Sequence, residues 1–205
     1  MTITAPSTTS STSTEQRLAE TSAPIHETLA TRWSPRSFEA NETIDESLLT
    51  AALEAARWAP SAANTQPARF IVARRGSEAF EKVAASLMGF NSVWATNAAV
   101  LIVGIAETVD AEGKPRPWAE YDLGQALAHL SFQAHADGLH VHQMGGFVAA
   151  SISEAFDLPE SLKPLTVTAL GTLAPAEALP DDTLIARESA PRTRLPLDEL
   201  LLVSE

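Results

Sequence analysis

The sequence predicts an α+β domain built on an antiparallel or mixed sheet. Segments of helical and of strand pattern mix along the chain without the strict alternation of a doubly wound fold. One segment, Ala98 to Ala106, is an uninterrupted apolar run rich in β-branched residues, of the kind that sits in the middle of a sheet covered on both faces. Neither a G-x-G-x-x-G nor a G-x-x-x-x-G-K-[ST] loop occurs, which weakens a Rossmann or P-loop reading. With 205 residues, 45% of them hydrophobic, the chain has the size of one domain with a substantial core.

The elements follow in order. Residues 1–23 read as a disordered tail, since ten of the first fourteen residues are Ser or Thr and none is basic or part of an apolar run. A single domain over 24–205 then begins with a short helix whose apolar face is Ile25, Leu29 and Trp33. Thr43 to Ala59 is the clearest helix: Asp45 can cap it, Leu48, Leu49, Ala52, Leu53 and Ala56 recur at helical spacing, and Pro60 stops it. A strand over Arg69 to Ala73, a helix over Ser77 to Leu87 and the Ala98 to Ala106 strand come next. Trp118 to Asp137 is a long alanine-rich helix with Gly138 at its C-cap, followed by a strand over Leu139 to His142. The Gly145-Gly146 pair breaks the chain. A helix over Phe147 to Phe156, a strand over Leu165 to Leu173 and a terminal helix or arm from Pro196 to Val203 complete the pattern.

Composition bounds the function. Fourteen basic residues against 26 acidic ones give a net charge of −12, so the average surface repels nucleic acid and anionic membranes, and any bound anion must meet a local basic cluster. The absence of cysteine excludes disulfides, thiolate metal sites and cysteine nucleophiles, so redox chemistry would have to come from a cofactor. No apolar run approaches the roughly 20 residues of a membrane helix, and the chain reads as soluble and cytoplasmic.

Four segments carry candidate chemistry. In Arg32-Trp33-Ser34-Pro35-Arg36 the proline holds Ser34 extended, so Arg32, Ser34 and Arg36 project to one side. Two guanidinium forks and a hydroxyl suit a phosphate, although a solvated turn has the same composition. Arg192 and Arg194, between Pro191 and Pro196, repeat the spacing near the other end. Four of only eleven arginines in two proline-bracketed pairs, in a chain this acidic, suggest one shared anion. The loop Pro60-Ser61-Ala62-Ala63-Asn64-Thr65-Gln66-Pro67 is short-chained enough for its backbone to approach a flat ligand, with Asn64 and Gln66 as amide partners for a heterocycle edge. Taken alone it reads as a helix-terminating loop. Gln143-Met144-Gly145-Gly146-Phe147 again permits close backbone approach and leaves amide N–H groups free.

Together these segments resemble the nitroreductase-like FMN flavoprotein family. The R-x-S-x-[RK] opening is Arg32, Ser34 and Arg36 with Phe38 after it. The P-S-x-x-N-x-Q-P loop is Pro60, Ser61, Asn64, Gln66 and Pro67. A long helix, a G-G-F turn at Gly145, Gly146 and Phe147, an apolar strand ending at Gly171, and a basic R-x-R segment follow in the family's order, over about Pro24 to Leu202. The resemblance implies a three-layer α/β/α fold with a central mixed, mainly antiparallel sheet. It implies that Arg32, Ser34, Arg36, Arg192 and Arg194 hold the flavin phosphate and ribityl chain. It implies that Pro60, Ser61, Ala62, Asn64 and Gln66 meet the isoalloxazine from the partner subunit of a homodimer, and that the Gly145-Gly146 turn offers an N–H near flavin N5. The reaction it implies is ping-pong hydride transfer from NAD(P)H through FMN to a nitroaromatic, quinone or similar conjugated acceptor, with no catalytic side chain required. Reductive dehalogenation, flavin fragmentation and a non-catalytic flavin storage or regulatory role are the alternatives. Two departures, Ala68 where many members have Trp and Gly145 where others have Glu, bear on the substrate more than on the flavin.

His140 and His142 form an H-x-H on a strand, but no third ligand is spaced to complete a metal site, so His142 is read as lining a pocket, bonding a backbone group or touching substrate. Asn91 is a further candidate flavin contact. Glu120 and Asp122 read as solvent or interface surface.

Overall fold

The computed structural model describes residues 17–205. In chain order its elements are α1 (Glu27–Thr31), α2 (Glu46–Arg57), β1 (Ala68–Arg74), α3 (Glu78–Ala85), α4 (Asn91–Trp94), β2 (Val100–Glu107), α5 (Ala119–Ala136), β3 (His140–Met144), α6 (Ala149–Ala155), β4 (Leu162–Gly171), α7 (Asp182–Ser189) and α8 (Leu197–Leu200). The strands form one sheet in the order β1-β2-β4-β3. All pairings between these strands are antiparallel, so the mixed component expected of the sheet is absent among the described residues.

Strand β2 shows why there are three layers. Leu101, Val103 and Ile105 point into one apolar cluster with Phe80, Val83, Trp94, Ile152 and Leu184, from α3, α4, α6 and α7. Val100 and Ile102 point into the other, with Leu49, Ala52 and Ala56 of α2 and Ala126, Leu130 and Ala134 of α5. The two-residue period of a strand thus feeds both helical layers from one unbroken apolar run. Each of its leucine and isoleucine side chains, fully buried, contributes about 1.5–3 kcal/mol.

Local signals set the ends. The Asp45 carboxylate accepts from Ser47 N at 2.8 Å at the start of α2. Gly138 takes φ +80° directly after α5, a left-handed conformation that ends the helix and that a side chain would disfavour. Strand β4 begins three residues earlier than its pattern predicts, because Pro164 lies opposite Ile105 at the bulge after Gly104 and beyond the end of β3, where its missing N–H interrupts little.

Three features depart from the sequence reading. Helix α1 is only five residues long, and Ile25 and Leu29 are exposed rather than packed as an apolar face. Helices α4 and α7 were not foreseen. Residues 1–16 of the expected tail lie outside the described residues, whereas 17–23 run back over α1, with Ala19 N donating to Ala30 O at 2.9 Å. No helix among the described residues is long and apolar enough to cross a membrane.

Candidate functional site

The segments around Arg17 and Arg192 meet at α1. Arg192 Nη1 donates to Arg17 O at 2.8 Å and to Ala30 O at 2.6 Å, tying the C-terminal segment to the N-terminal one across α1. The Arg17 guanidinium lies 3.7 Å from the centre of the Trp33 ring. Burial, then the charge of Arg194, lowers the pKa of Arg32; burial, then Arg32, Arg194 and Arg17, lowers that of Arg192. Charge acting from one guanidinium on another in this way requires the groups to lie near one another, and Arg36 acts likewise on Arg17. The pairs at 32 and 36 and at 192 and 194 are therefore gathered, with Arg17 as a member that sequence reasoning assigned to the tail.

Within the gathering the roles differ. Arg32 Nη1 donates to Trp33 O at 3.1 Å and lies 3.5 Å from Ser34 Oγ. Arg32 and Ser34 line a cavity of about 350 Å³ with Ser131, Phe132, Val141 and Gln143. Gln143 Nε2 donates to Leu127 O and Ser131 Oγ on α5, at 3.2 and 3.0 Å. Arg192 and Arg194 line a second surface cavity, of about 340 Å³, with Glu20 and Leu195, which shares no lining residue with the first. Arg36 does not face the Arg32 cavity as alternation suggested: its Nη1 turns to Glu188 Oε2 at 3.9 Å.

Beyond Gln143 the chain enters the Gly145-Gly146 turn. Space is open where a Cβ would stand on Gly145, while one on Gly146 would lie 2.7 Å from Asn91 Nδ2. Asn91 donates to Gly146 O at 3.1 Å, and Met88 N to the same oxygen at 3.0 Å. Asn91 thus braces the turn from α4.

The loop after α2 lies elsewhere. Pro60, Ser61 and Gln66 line a cavity of about 150 Å³ with Ala56, Pro67 and Asp122, and this cavity shares no lining residue with the arginine one. On α5 this cavity meets Asp122 and Ala126 and the arginine one Ala128, Ser131 and Phe132, so the two follow one another along the helix. Ala63, Asn64 and Gln66 adopt φ of 49°, 55° and 49°, a cluster of left-handed conformations that side chains tolerate only when the surroundings impose them. The imposing contacts are Ser61 Oγ, which accepts from Gln66 N at 3.0 Å, and Asp122 Oδ2, which accepts from Ala62 N at 3.0 Å. Asp122 is buried, correcting its reading as surface, whereas Glu120 is exposed and pairs with Lys163 at 2.7 Å. Asn64 and Gln66 stay exposed, and Gln66 Nε2 donates to Asn64 O at 3.2 Å.

Three histidines make contacts between elements. His142 Nδ1 bonds Pro35 O at 2.8 Å; a carbonyl only accepts, so Nδ1 carries the proton, and the ring fixes the Arg32–Arg36 segment to β3. Its other neighbour is Trp94, with ring centres 4.7 Å apart. Burial pushes the His142 pKa down to about 4, with Arg36 and Arg32 adding to the shift and hydrogen bonds to the Pro35 and Ser34 backbone opposing it. His140 is also lowered to about 4, by burial and then by His135. Thr31 Oγ1 donates to Glu27 O, so it accepts from His135 Nε2 at 2.8 Å. No group of three metal-ligating side chains occurs among the described residues.

Comparison with known proteins bears on the fold and the family. The model of the Nitroreductase family matches residues 29–93 and 78–172. An uncharacterized 15.4 kDa protein of Mycolicibacterium smegmatis is 36% identical over 140 residues, covering 64% of this chain and 92% of that protein. A crystal structure of an oxidoreductase containing FMN has 38% identity and a TM-score of 0.82, covering 91% of this chain and 94% of that one. A structure from Desulfovibrio desulfuricans in complex with FMN has 26% identity and a TM-score of 0.72, covering 90% and 99%.

Proposed function

The chain belongs to the nitroreductase family, and from that premise we propose that it is an FMN-dependent oxidoreductase active as a homodimer. Bound FMN would supply hydride carriage at N5 from NAD(P)H to a nitroaromatic, quinone or similar conjugated acceptor, the two using one cleft in turn. The observation that carries the reading is Arg32 and Ser34 lining one cavity with Gln143, two residues before the Gly145-Gly146 turn, with the charges of Arg192 and Arg194 near Arg32 in a chain of net charge −12.

The residues present fit the group. Arg32, Arg192 and Arg194, with Ser34, are suited to a phosphomonoester, since guanidinium forks give paired charge-assisted bonds and remain charged at any physiological pH. Gln143 and the open face of Gly145 lie at the heterocycle end, where backbone can come close and an N–H can be offered. Asn91 and Met88 N hold that turn in shape.

The homodimer follows from what one copy leaves undone. The strained 60–67 loop lines a cavity separate from that of Arg32, and its approach to the same ring from a second chain would bring the two together. Trp58, Trp118 and Tyr121 are exposed, at 72%, 61% and 65%, and the terminal arm exposes Leu197, Leu200, Leu201, Leu202 and Val203. Apolar surface on this scale is characteristic of an interface.

The test is the absorption spectrum of the protein as purified, followed by stopped-flow mixing with NADPH and sedimentation at several concentrations. A flavin band that NADPH bleaches rapidly, in a particle of twice the chain mass, is the result expected. A flavin band that NADPH leaves unbleached would favour a storage module, and a colourless protein with no affinity for FMN would reject the reading.

A further inference from the structure

Glu188, the residue before the end of α7, is 3% exposed, and nothing in the family motifs involves it. Its Oε1 accepts from Arg36 N at 3.0 Å and from Ser37 N at 3.1 Å, and its Oε2 accepts from Arg36 N at 2.9 Å. Arg36 Nη1 is 3.9 Å from Oε2. Burial raises the Glu188 pKa, while the two backbone hydrogen bonds and the charges of Arg17 and Arg36 act against that rise.

A buried carboxylate is costly, and apolar residues of similar volume commonly replace one without loss of stability. What an apolar residue could not do here is receive two consecutive backbone N–H groups. Those amides follow the Arg32-Trp33-Ser34-Pro35 stretch directly, and without an acceptor they would be buried donors lacking a partner. The next contacts extend the same anchorage: Ser37 Oγ donates to Pro175 O at 2.6 Å, Ala174 N to Ser37 O at 3.1 Å, and Phe38 bridges to Leu173. On its other side the stretch is fixed by His142 at Pro35 O. The segment is thus held from Pro35 to Phe38, immediately after Arg32 and Ser34, which line the cavity.

Charge points the same way. The charges of Arg17, Arg32, Arg36, Arg192 and Arg194 act on one another, and Glu188 is the buried negative charge beside Arg17 and Arg36. Removing it would release the segment and leave the guanidinium groups free to repel one another apart.

We propose that Glu188 is a positioning residue of the phosphate site, the carboxylate that fixes the 32–37 segment in its anion-binding conformation. The inference rests on the FMN reading above. Riboflavin, which lacks the phosphate, separates positioning of the phosphate site from general structural support.

The test is titration of the flavin-free protein and its variants with FMN and with riboflavin, followed by flavin fluorescence, with folding checked by thermal melting. Glu188→Gln keeps the size and removes the charge; Glu188→Asp keeps the charge and withdraws it from the two amides, which spares folding if the first variant is unstable. Both should bind FMN about tenfold or more weakly, the scale of one lost charge-assisted hydrogen bond, with riboflavin affinity within about twofold of wild type. Unchanged FMN affinity in a folded variant, or equal loss of both ligands, overturns the assignment. Wild-type protein that prefers FMN no more than riboflavin would instead remove the phosphate site itself, and Glu188's role with it.

Discussion

Acidification should unfold this protein in a window set by two buried histidines. His140 and His142 both have pKa values lowered from 6.5 to about 4 in the folded chain. For a base with a depressed folded pKa, the unfolded chain takes up the proton first. The associated stability is therefore complete above the unfolded value of 6.5 and is lost as pH falls toward about 4. At pH 5 the linkage amounts to about 2 kcal/mol for each histidine, a large share of the roughly 5–15 kcal/mol that holds a domain folded. His135 is lowered too and adds in the same direction. Glu188, whose pKa is raised by burial, opposes it over the lower part of the window, because there the folded state holds the proton more tightly. The assay is urea unfolding, followed by tryptophan fluorescence, at steps from about pH 7.5 to about pH 5. His142→Gln and His140→Gln should each flatten the curve by about its own share, although His142→Gln also weakens the Pro35 contact. An unfolding free energy constant to within about 1 kcal/mol across that range would refute the burial argument.

Three further outcomes are expected. Arg32→Ala and Arg194→Ala should each weaken FMN binding by about 1–3 kcal/mol in a fluorescence titration, and unchanged affinity in both would exclude these arginines as the phosphate site. Gly146→Ala should lower the melting temperature, since its Cβ would meet Asn91 Nδ2 at 2.7 Å, an overpacking of about 1–3 kcal/mol. The double variant with Asn91→Ala should melt above Gly146→Ala alone; if it does not, the clash is not the cause. Asp122→Ala leaves Ala62 N without its buried acceptor and should cost about 1–3 kcal/mol in chemical unfolding, with Asp122→Asn milder because an amide oxygen still accepts.

Where a segment's own pattern decided its fate, the sequence was readable. Strand β2 announced itself because one apolar run must serve two cores, and α2 because its cap, its apolar spacing and its stop at Pro60 agree. Helix α7 was missed although Asp181 caps it, accepting from Thr183 N and Leu184 N; it buries too few apolar residues for a periodic stripe to stand out. With α7 went Glu188, whose partners lie about 150 residues away. Asp122 was misread because, on a helix covered on one side by β2 and contacted on another by the 60–67 loop, acidic character alone does not tell a solvated carboxylate from a buried acceptor. Arg17 had no signal at all, since its place over Trp33 depends on where the chain's other end returns.

That return also explains how so acidic a molecule can offer an anion a home. Beyond a Debye length of about 8–10 Å an approaching phosphate meets the average surface, which repels it. Closer in, it would meet Arg32, Arg192 and Arg194, with Arg17 and Arg36 beside them, in a chain of net charge −12. The attraction has to be short-ranged, so it has to be built by geometry. Arg192 spends hydrogen bonds on the carbonyls of Arg17 and Ala30, and Glu188 spends a buried charge on the amides of Arg36 and Ser37. Each bond holds backbone next to the proposed anion site rather than lining the site itself. Salt should accordingly weaken the binding of a phosphate-bearing flavin less than it would at a solvated basic patch, because the groups that make this site are partly withdrawn from the ions that screen them.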